Sequence, residues 1–192
     1  MSTKTLYLQT VGEYFHVYNR GVNRQKIFYE KRNYSFFLKR MEEYRTSGIL
    51  IVSFCLMPNH FHFVLRQDEP NAMSKYFGRL CKSYTRAINK LYQRTGHLFE
   101  GKYKIKHIDD RGYLIHLTRY VHLNPVRGGL VATPKNWEFS SFNNYYMPST
   151  QGLVDTSILL AEFQNSAAYA EYVQDYVLPD NRKLKKYLFT RP

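Results

Sequence analysis

The sequence is poor in cysteine and has no long apolar segment. Its 192 residues include two cysteines, Cys55 and Cys81, both within apolar patterns, so we expect buried thiols rather than a disulfide or a metal site. No uninterrupted apolar run approaches the roughly 20 residues of a membrane-spanning helix. Residues 1–10 lack the basic start and apolar block of a signal peptide. We therefore expect a cytoplasmic protein without a membrane partner.

Several common catalytic signatures are also absent. The sequence contains no G-x-x-x-x-G-K-[ST] phosphate loop, no H-E-x-x-H motif, no paired C-x-x-C and no serine nucleophile elbow. We therefore expect neither a nucleotide cofactor nor the sites that these motifs build.

Acidic residues are scarce relative to basic ones. The chain has 28 Lys+Arg against 15 Asp+Glu, a net charge of +13, and 17% of its residues are aromatic. This combination favours single-stranded nucleic acid as a partner, because cations follow the backbone while rings stack on bases. The alternative is a basic soluble enzyme. The hydrophobic content of 44% excludes a fully disordered chain.

Hydrophobic periodicity indicates the order of the secondary-structure elements. It predicts strands at residues 13–18, 49–56, 60–65 and 102–106, and helices at residues 30–45, 71–94 and 109–124. The last helix is expected to end at Asn124, because the residue before a proline avoids helical angles. The order β-α-β-β-α-β-α predicts an α+β fold, a ferredoxin-like antiparallel sheet with helices packed on one face. Residues 1–146 form the predicted core domain, with 137–146 as a loop, and residues 147–192 form a helical, basic C-terminal extension.

Basic side chains are arranged in stripes that could hold a phosphate backbone. One stripe follows the helix at residues 71–94, a second alternates along the strand at residues 102–106, and two arginines flank the glycine of the first loop. The alternative for each is a solvated surface charge. The DNA-binding residues predicted in this way are Arg20, Arg24, Lys75, Arg79, Lys82, Arg86, Lys102 and Lys104.

Two histidines alternate along one predicted strand. The side chains of His60 and His62 point to the same side, roughly 6.5–7 Å apart along the strand, so two imidazoles can converge on one metal ion. The alternative is an ordinary pair of packed or surface histidines. Two imidazoles alone bind a metal poorly, so a third ligand is needed.

A polar face on the last predicted helix can supply that third ligand. His116, Tyr120 and Asn124 are spaced i, i+4, i+8 and share one face. An Asn carbonyl oxygen can bind a divalent cation, and a Tyr hydroxyl can attack an electrophile that the cation polarises. The alternative is a half-buried aromatic residue on an amphipathic helix. His122 lies on the opposite side and is expected to be structural.

Five sequence blocks resemble the HUH single-tyrosine transposases, and among them the REP-associated tyrosine transposases of the IS200-like type are the most similar. The blocks cover residues 16–21 (HVYNRG), 57–65 (MPNHFHFVL), 96–103 (GHLFEGKY), 120–127 (YVHLNPVR) and 137–142 (WEFSSF). Together they lie within residues 13–146 and keep the order of the family.

The resemblance implies a DNA strand transferase. It implies that single-stranded DNA is cleaved near a hairpin through a 5′-phosphotyrosine intermediate, with a divalent metal, Mg²⁺ or Mn²⁺, held by the two histidines. Carried over by position, His60 and His62 are metal ligands and Tyr120 is the nucleophile. Asn124 stands where the insertion-sequence branch has a Gln, and it keeps an amide oxygen for the metal. The implied partner is single-stranded or hairpin DNA, bound by a monomer or a homodimer.

Two other functions share this chemistry or this fold. One is a catalytically inactive, domesticated protein that only binds hairpin DNA; the presence of His60, His62 and Tyr120 together argues against it. The other is a replication initiator or relaxase, which the small size and the Tyr-x-x-x-Asn-Pro block disfavour.

Overall fold

Four antiparallel strands form one sheet in the computed structural model, which describes residues 9–147 and 152–175. The strands are β1 (Glu13–Arg20), β2 (Ile49–Met57), β3 (His60–Gln67) and β4 (Lys104–Ile108). They lie in the order β2-β3-β1-β4, and every neighbouring pair is antiparallel. This is the split βαβ arrangement, so the predicted α+β, ferredoxin-like fold is confirmed.

Two crossover helices cover one face of the sheet. They are α1 (Lys31–Glu43) and α2 (Ala72–Leu91). The ring of Phe61 on β3 lies 5.8 Å from that of Phe37 on α1 and 6.2 Å from that of Phe77 on α2. Helical spacing of apolar residues gives both helices a buried stripe, and burial of these rings holds the two layers together.

The third long helix, α3 (Arg111–Arg127), packs on the opposite face. Tyr120 contacts His62, which alternates with Phe61 along β3 and so points away from α1 and α2. The sequence predicted that the helices pack on one face of the sheet. This is true of the crossover helices α1 and α2, whereas α3 packs on the other face. The physical reason is that β2 is buried along almost its whole length, so its side chains on the face of His62 also need a cover, and α3 packs on them.

The predicted end of α3 at Asn124 is wrong. The helix continues through Pro125 to Arg127, and the N–H of Gly128 donates to the carbonyl of Asn124 at 2.8 Å. Pro125 lies in the last turn, where its missing N–H removes a single helical hydrogen bond, and it is buried against the core. Packing therefore overrides the local preference against helix before proline.

The segment after α3 closes the free edge of β2. The N–H of Leu56 donates to Phe139 O at 2.9 Å, and that of Ser141 donates to Phe54 O at 2.9 Å. The region predicted as a loop at residues 137–146 therefore covers a sheet edge, a common means of satisfying edge hydrogen bonds, and then forms the short helix α4 (Phe142–Tyr146).

Residues 152–175 pack into the same hydrophobic core as the sheet. They contain the helices α5 (Ser157–Leu160) and α6 (Ser166–Gln174), and Leu159, Tyr169 and Val173 are fully or almost fully buried. The division into residues 1–146 and 147–192 stays a prediction, and the basic terminus after residue 175 lies outside the described residues. Both cysteines are free thiols. Within residues 9–147 and 152–175, no helix has the length and hydropathy to cross a membrane.

Candidate active site

The face of the sheet under α3 carries a row of polar side chains from β1 and β3. In the antiparallel register, Tyr18 lies opposite His62 and Arg20 opposite His60. His16 is two residues before Tyr18 and therefore points to the same face. β1 and β3 are the two central strands, so the row stands on strands that have a hydrogen-bonded neighbour on each side.

The two predicted metal-binding histidines are neighbours on this face. The ring centroids of His60 and His62 are 5.1 Å apart, with nearly perpendicular planes. His62 is fully buried. Burial is the main reason that the pKa of His62 lies well below its usual value, and the nearby His60 and His16 add to this shift. The neutral imidazole that results is the form that binds metals.

His16 is a member of the site that the sequence reasoning missed. Its Nε2 lies 2.9 Å from Nδ1 of His62, and both side chains are fully buried. Burial, with a smaller contribution from the charge of Lys106, lowers the pKa of His16 to about 3. His16 is the first residue of the HVYNRG block, but only the strand register reveals that it contacts His62.

Helix α3 brings Tyr120 and Asn124 to the same two histidines. The rings of Tyr120 and His62 are 5.8 Å apart, and the Nδ2 of Asn124 donates to Tyr120 O at 2.9 Å. Burial lowers the pKa of His60 to about 4, and a hydrogen bond to Asn124 opposes this shift. A hydrogen bond raises the pKa of an imidazole when the imidazole donates it, so the amide oxygen of Asn124 is the atom that accepts from His60.

Arg127 also belongs to this face. Its guanidinium carbon lies 5.1 Å from the ring centroid of Tyr120, within the range of a cation–π contact. The sequence reasoning missed Arg127 because it ended the helix at Asn124. Continuation of α3 through Pro125 supplies the two turns that separate Arg127 from Tyr120.

Some of the predicted DNA-binding residues lie on or beside the face of the sheet that carries His16, His60 and His62, the histidine face. Lys104 pairs with Tyr18 across β4 and β1 and therefore shares that face. Arg20 forms a bidentate ion pair with Glu100. Arg24 has a left-handed backbone (φ 58°), and its carbonyl accepts from Asn59 Nδ2 at 3.2 Å, one residue before His60.

The predicted DNA-binding residues on helix α2 lie elsewhere. The helix α2 is on the opposite face of the sheet from His62, and the four of its five basic residues that have a predicted role in DNA binding project into solvent there. They are Lys75, Arg79, Lys82 and Arg86. The guanidinium of Arg79 covers the ring of Tyr44 at 4.6 Å. Lys102 precedes β4, and its Nζ lies 5.6 Å from the ring centroid of Tyr103.

Both histidines of α3 contact the C-terminal segment, residues 152–175. His116 is exposed and its Nδ1 lies 3.0 Å from the hydroxyl of Tyr172. His122 is fully buried, between Tyr169 and Ser141.

The donor set at this site is chemically suited to a divalent cation. Within residues 9–147 and 152–175, no cluster of three His, Cys, Asp or Glu side chains is arranged to bind a metal. His60, His62 and Asn124 instead offer two imidazole nitrogens and one amide oxygen, a mixed set that leaves coordination positions open. Because Nδ1 of His62 faces His16, Nε2 is the atom through which His62 would bind a cation.

Comparisons with known proteins give the family and the fold of this chain. The sequence model of the family described as "Transposase IS200 like" matches residues 10–124, which run from β1 through Asn124 on α3. A solved structure of a REP-associated tyrosine transposase bound to a REP hairpin superposes with a TM-score of 0.62. It covers 77% of this chain and 89% of that one at 18% sequence identity, so the likeness is one of fold. No curated protein matches the sequence. This chain belongs to the IS200-like transposase family.

Proposed function

We propose that this transposase cleaves and rejoins single-stranded DNA near hairpins through a 5′-phosphotyrosine formed on Tyr120. The observation that carries the proposal is the convergence of Tyr120 and Asn124 on His60 and His62 from opposite layers. A nucleophile next to a potential cation site is the minimum that phosphoryl transfer requires.

His60, His62 and Asn124 would hold the Mg²⁺ or Mn²⁺ ion. When bound, the cation would neutralise charge on the scissile phosphate. The neutral state of both imidazoles supports this role, since their nitrogen lone pairs are not taken by protons.

Tyr120 performs the transfer. Its hydroxyl oxygen attacks phosphorus, the phenol proton passes to water, and the bond from phosphorus to the 3′ oxygen breaks. The electron pair of that bond leaves with the oxygen, which takes up a proton to give a 3′-hydroxyl. In the reverse step an incoming 3′-hydroxyl attacks the phosphotyrosine and Tyr120 regains its proton, so joining needs no nucleotide cofactor. Arg127 lies over the ring of Tyr120 and would bring a positive charge close to the phosphate that is transferred.

Basic side chains at the histidine face would hold the strand near the phosphorus. Arg20 and Lys104 stand on this face, and Arg24 lies in the neighbouring loop, where its backbone contacts Asn59. The stripe on α2 would act as a second contact region only for DNA that also reaches the opposite face of the sheet. The REP-associated tyrosine transposase with a similar fold is bound to a REP hairpin, which supports a hairpin as the substrate here. We further propose that the protein acts in the cytoplasm, as a monomer or homodimer.

A denaturing gel with labelled hairpin DNA tests the assignment. Wild type, Tyr120→Phe and Tyr18→Phe are compared with Mg²⁺, with Mn²⁺ and with chelator. Tyr18 is the matched control because its ring also lies beside His62, at 6.0 Å. We expect a covalent band that requires metal, is lost in Tyr120→Phe and persists in Tyr18→Phe, with hairpin binding unchanged in both variants.

The other outcomes identify the alternatives. Loss of the band in Tyr18→Phe alone would move the nucleophile to β1. Tight hairpin binding by wild type without a covalent band would favour the catalytically inactive hairpin-binding protein.

A further inference from the structure

A continuous network of buried hydrogen bonds connects α6, α3 and the edge strand β2. The hydroxyl of Tyr169 on α6 lies 2.7 Å from Nδ1 of His122 on α3. Nε2 of His122 lies 2.8 Å from Oγ of Ser141. That hydroxyl oxygen also accepts from the N–H of Phe54 on β2 at 2.8 Å. The C-terminal segment is thereby tied through α3 to the sheet.

The protons in this network can be assigned so that no polar atom lacks a partner. His122 is neutral, since burial lowers its pKa to about 3, and it therefore has one N–H and one acceptor nitrogen. If Tyr169 donates to Nδ1, His122 donates from Nε2 to Ser141, and Ser141 donates to the carbonyl of Phe54 at 3.2 Å. Fully satisfied buried networks of this kind fix one arrangement of the elements that they join.

His122 is placed where it controls the rotation of α3 about its axis. At about 100° per residue, position 122 lies on the opposite side of the helix from both Tyr120 and Asn124. A rotation of roughly 10° would move a tyrosine hydroxyl, about 9 Å from the helix axis, by about 1.5 Å. A shift of about 1 Å in a reacting group can lower a rate about 100-fold.

Further contacts from the same segment hold the first half of α3. Arg111 forms an ion pair with Glu162. The guanidinium carbon of Arg119 lies 4.1 Å from the ring centroid of Tyr172, whose hydroxyl also contacts His116. These contacts are more exposed than the network at His122, so each is expected to contribute less.

We propose that α6 is a positioning element for the nucleophile: through Tyr169 and His122 it sets the rotation of α3 that turns Tyr120 and Asn124 toward His60 and His62. The proposal rests on the proposed role of Tyr120. It gives the C-terminal segment a part in the reaction without contact with DNA or metal.

Tyr169→Phe tests this role because it removes one oxygen from the network. Tyr145→Phe is the matched control: Tyr145 is also fully buried, its ring is 4.6 Å from that of Tyr169, and its hydroxyl donates to Val52 O on β2. Single-turnover formation of the covalent adduct is measured at saturating hairpin DNA, well below the Tm of each variant. We expect the rate constant to fall 10-fold or more in Tyr169→Phe and to stay within twofold of wild type in Tyr145→Phe, with hairpin Kd unchanged in both.

A second variant and a second readout keep the test decisive. Ser141→Ala cuts the network at its other end and should reproduce the slow adduct formation if Tyr169→Phe does not fold. Hydrogen exchange of the α3 amides should accelerate in Tyr169→Phe and not in Tyr145→Phe. Equal rate losses in the two tyrosine variants, or wild-type rate and exchange in Tyr169→Phe, would overturn the proposal. If wild type forms no adduct, the proposed function fails, while the exchange comparison still tests the positioning of α3.

Discussion

Replacement of His122 by Gln should remove a defined share of the pH dependence of stability. Burial lowers the pKa of His122 in the folded protein from its usual value of 6.5 to about 3. Between these two values the unfolded chain binds a proton at this residue and the folded chain does not. The contribution of His122 to stability is therefore fully present above the unfolded pKa and is lost as the pH falls from about 6.5 toward 3.

The magnitude follows from the linkage relation. One proton bound only by the unfolded state gives a slope of about 1.4 kcal/mol per pH unit. Integrated from pH 7 to pH 5 with these pKa values, one such histidine lowers the free energy of unfolding by about 2 kcal/mol. His16, His60 and His62, whose pKa values are also lowered, contribute in the same direction, so the wild-type loss exceeds that of His122 alone.

Urea unfolding at pH 7 and pH 5 measures this difference. We expect His122→Gln to lose about 2 kcal/mol less than wild type between the two pH values, whatever its stability at pH 7. Tyr169→Phe is the control, because it lowers stability while keeping the imidazole, and its pH dependence should stay near that of wild type. Parallel pH dependences in wild type and His122→Gln would refute the reasoning.

Two further predictions concern the site itself. His16→Leu removes the partner of His62 Nδ1 and should weaken Mn²⁺ binding roughly 10- to 100-fold in calorimetric titrations without DNA. His16→Gln keeps an acceptor near the Nε2 position, so it should bind Mn²⁺ with an affinity closer to that of wild type. Equal affinity in His16→Leu and wild type would contradict the role of His16. Lys104→Gln should lower the slope of log Kd against log salt by about 0.7 for a single-stranded contact. An unchanged slope would remove Lys104 from the interface, and a matching decrease in Lys82→Gln would extend the DNA path to α2.

Local patterns were sufficient to predict much of the site. Alternation along a strand places His60 and His62 on one side, and the i, i+4 spacing on a helix does the same for Tyr120 and Asn124. Both relations hold in the structure, where these side chains meet across two layers. The roles of the residues in metal binding and catalysis stay predictions.

The residues that the sequence did not reveal depend on long-range contacts. His16 contacts His62 only because β1 and β3 pair in one particular register. Arg127 reaches Tyr120 because burial of Pro125 lets α3 continue beyond it. Periodicity carries no information about either event.

The sequence by itself determined the order of the strands and helices, from which the ferredoxin-like plan follows. It also determined that His60 and His62, and likewise Tyr120 and Asn124, share one side of their element, because this depends only on the geometry of a single strand or helix. Only the tertiary structure placed α3 on the face opposite α1 and α2. It also decided which basic residues stand beside the histidines, and it joined α6 to α3 through His122. The physical reason is that these relations join residues far apart in the chain, and packing of buried surface and hydrogen bonds across elements selects them.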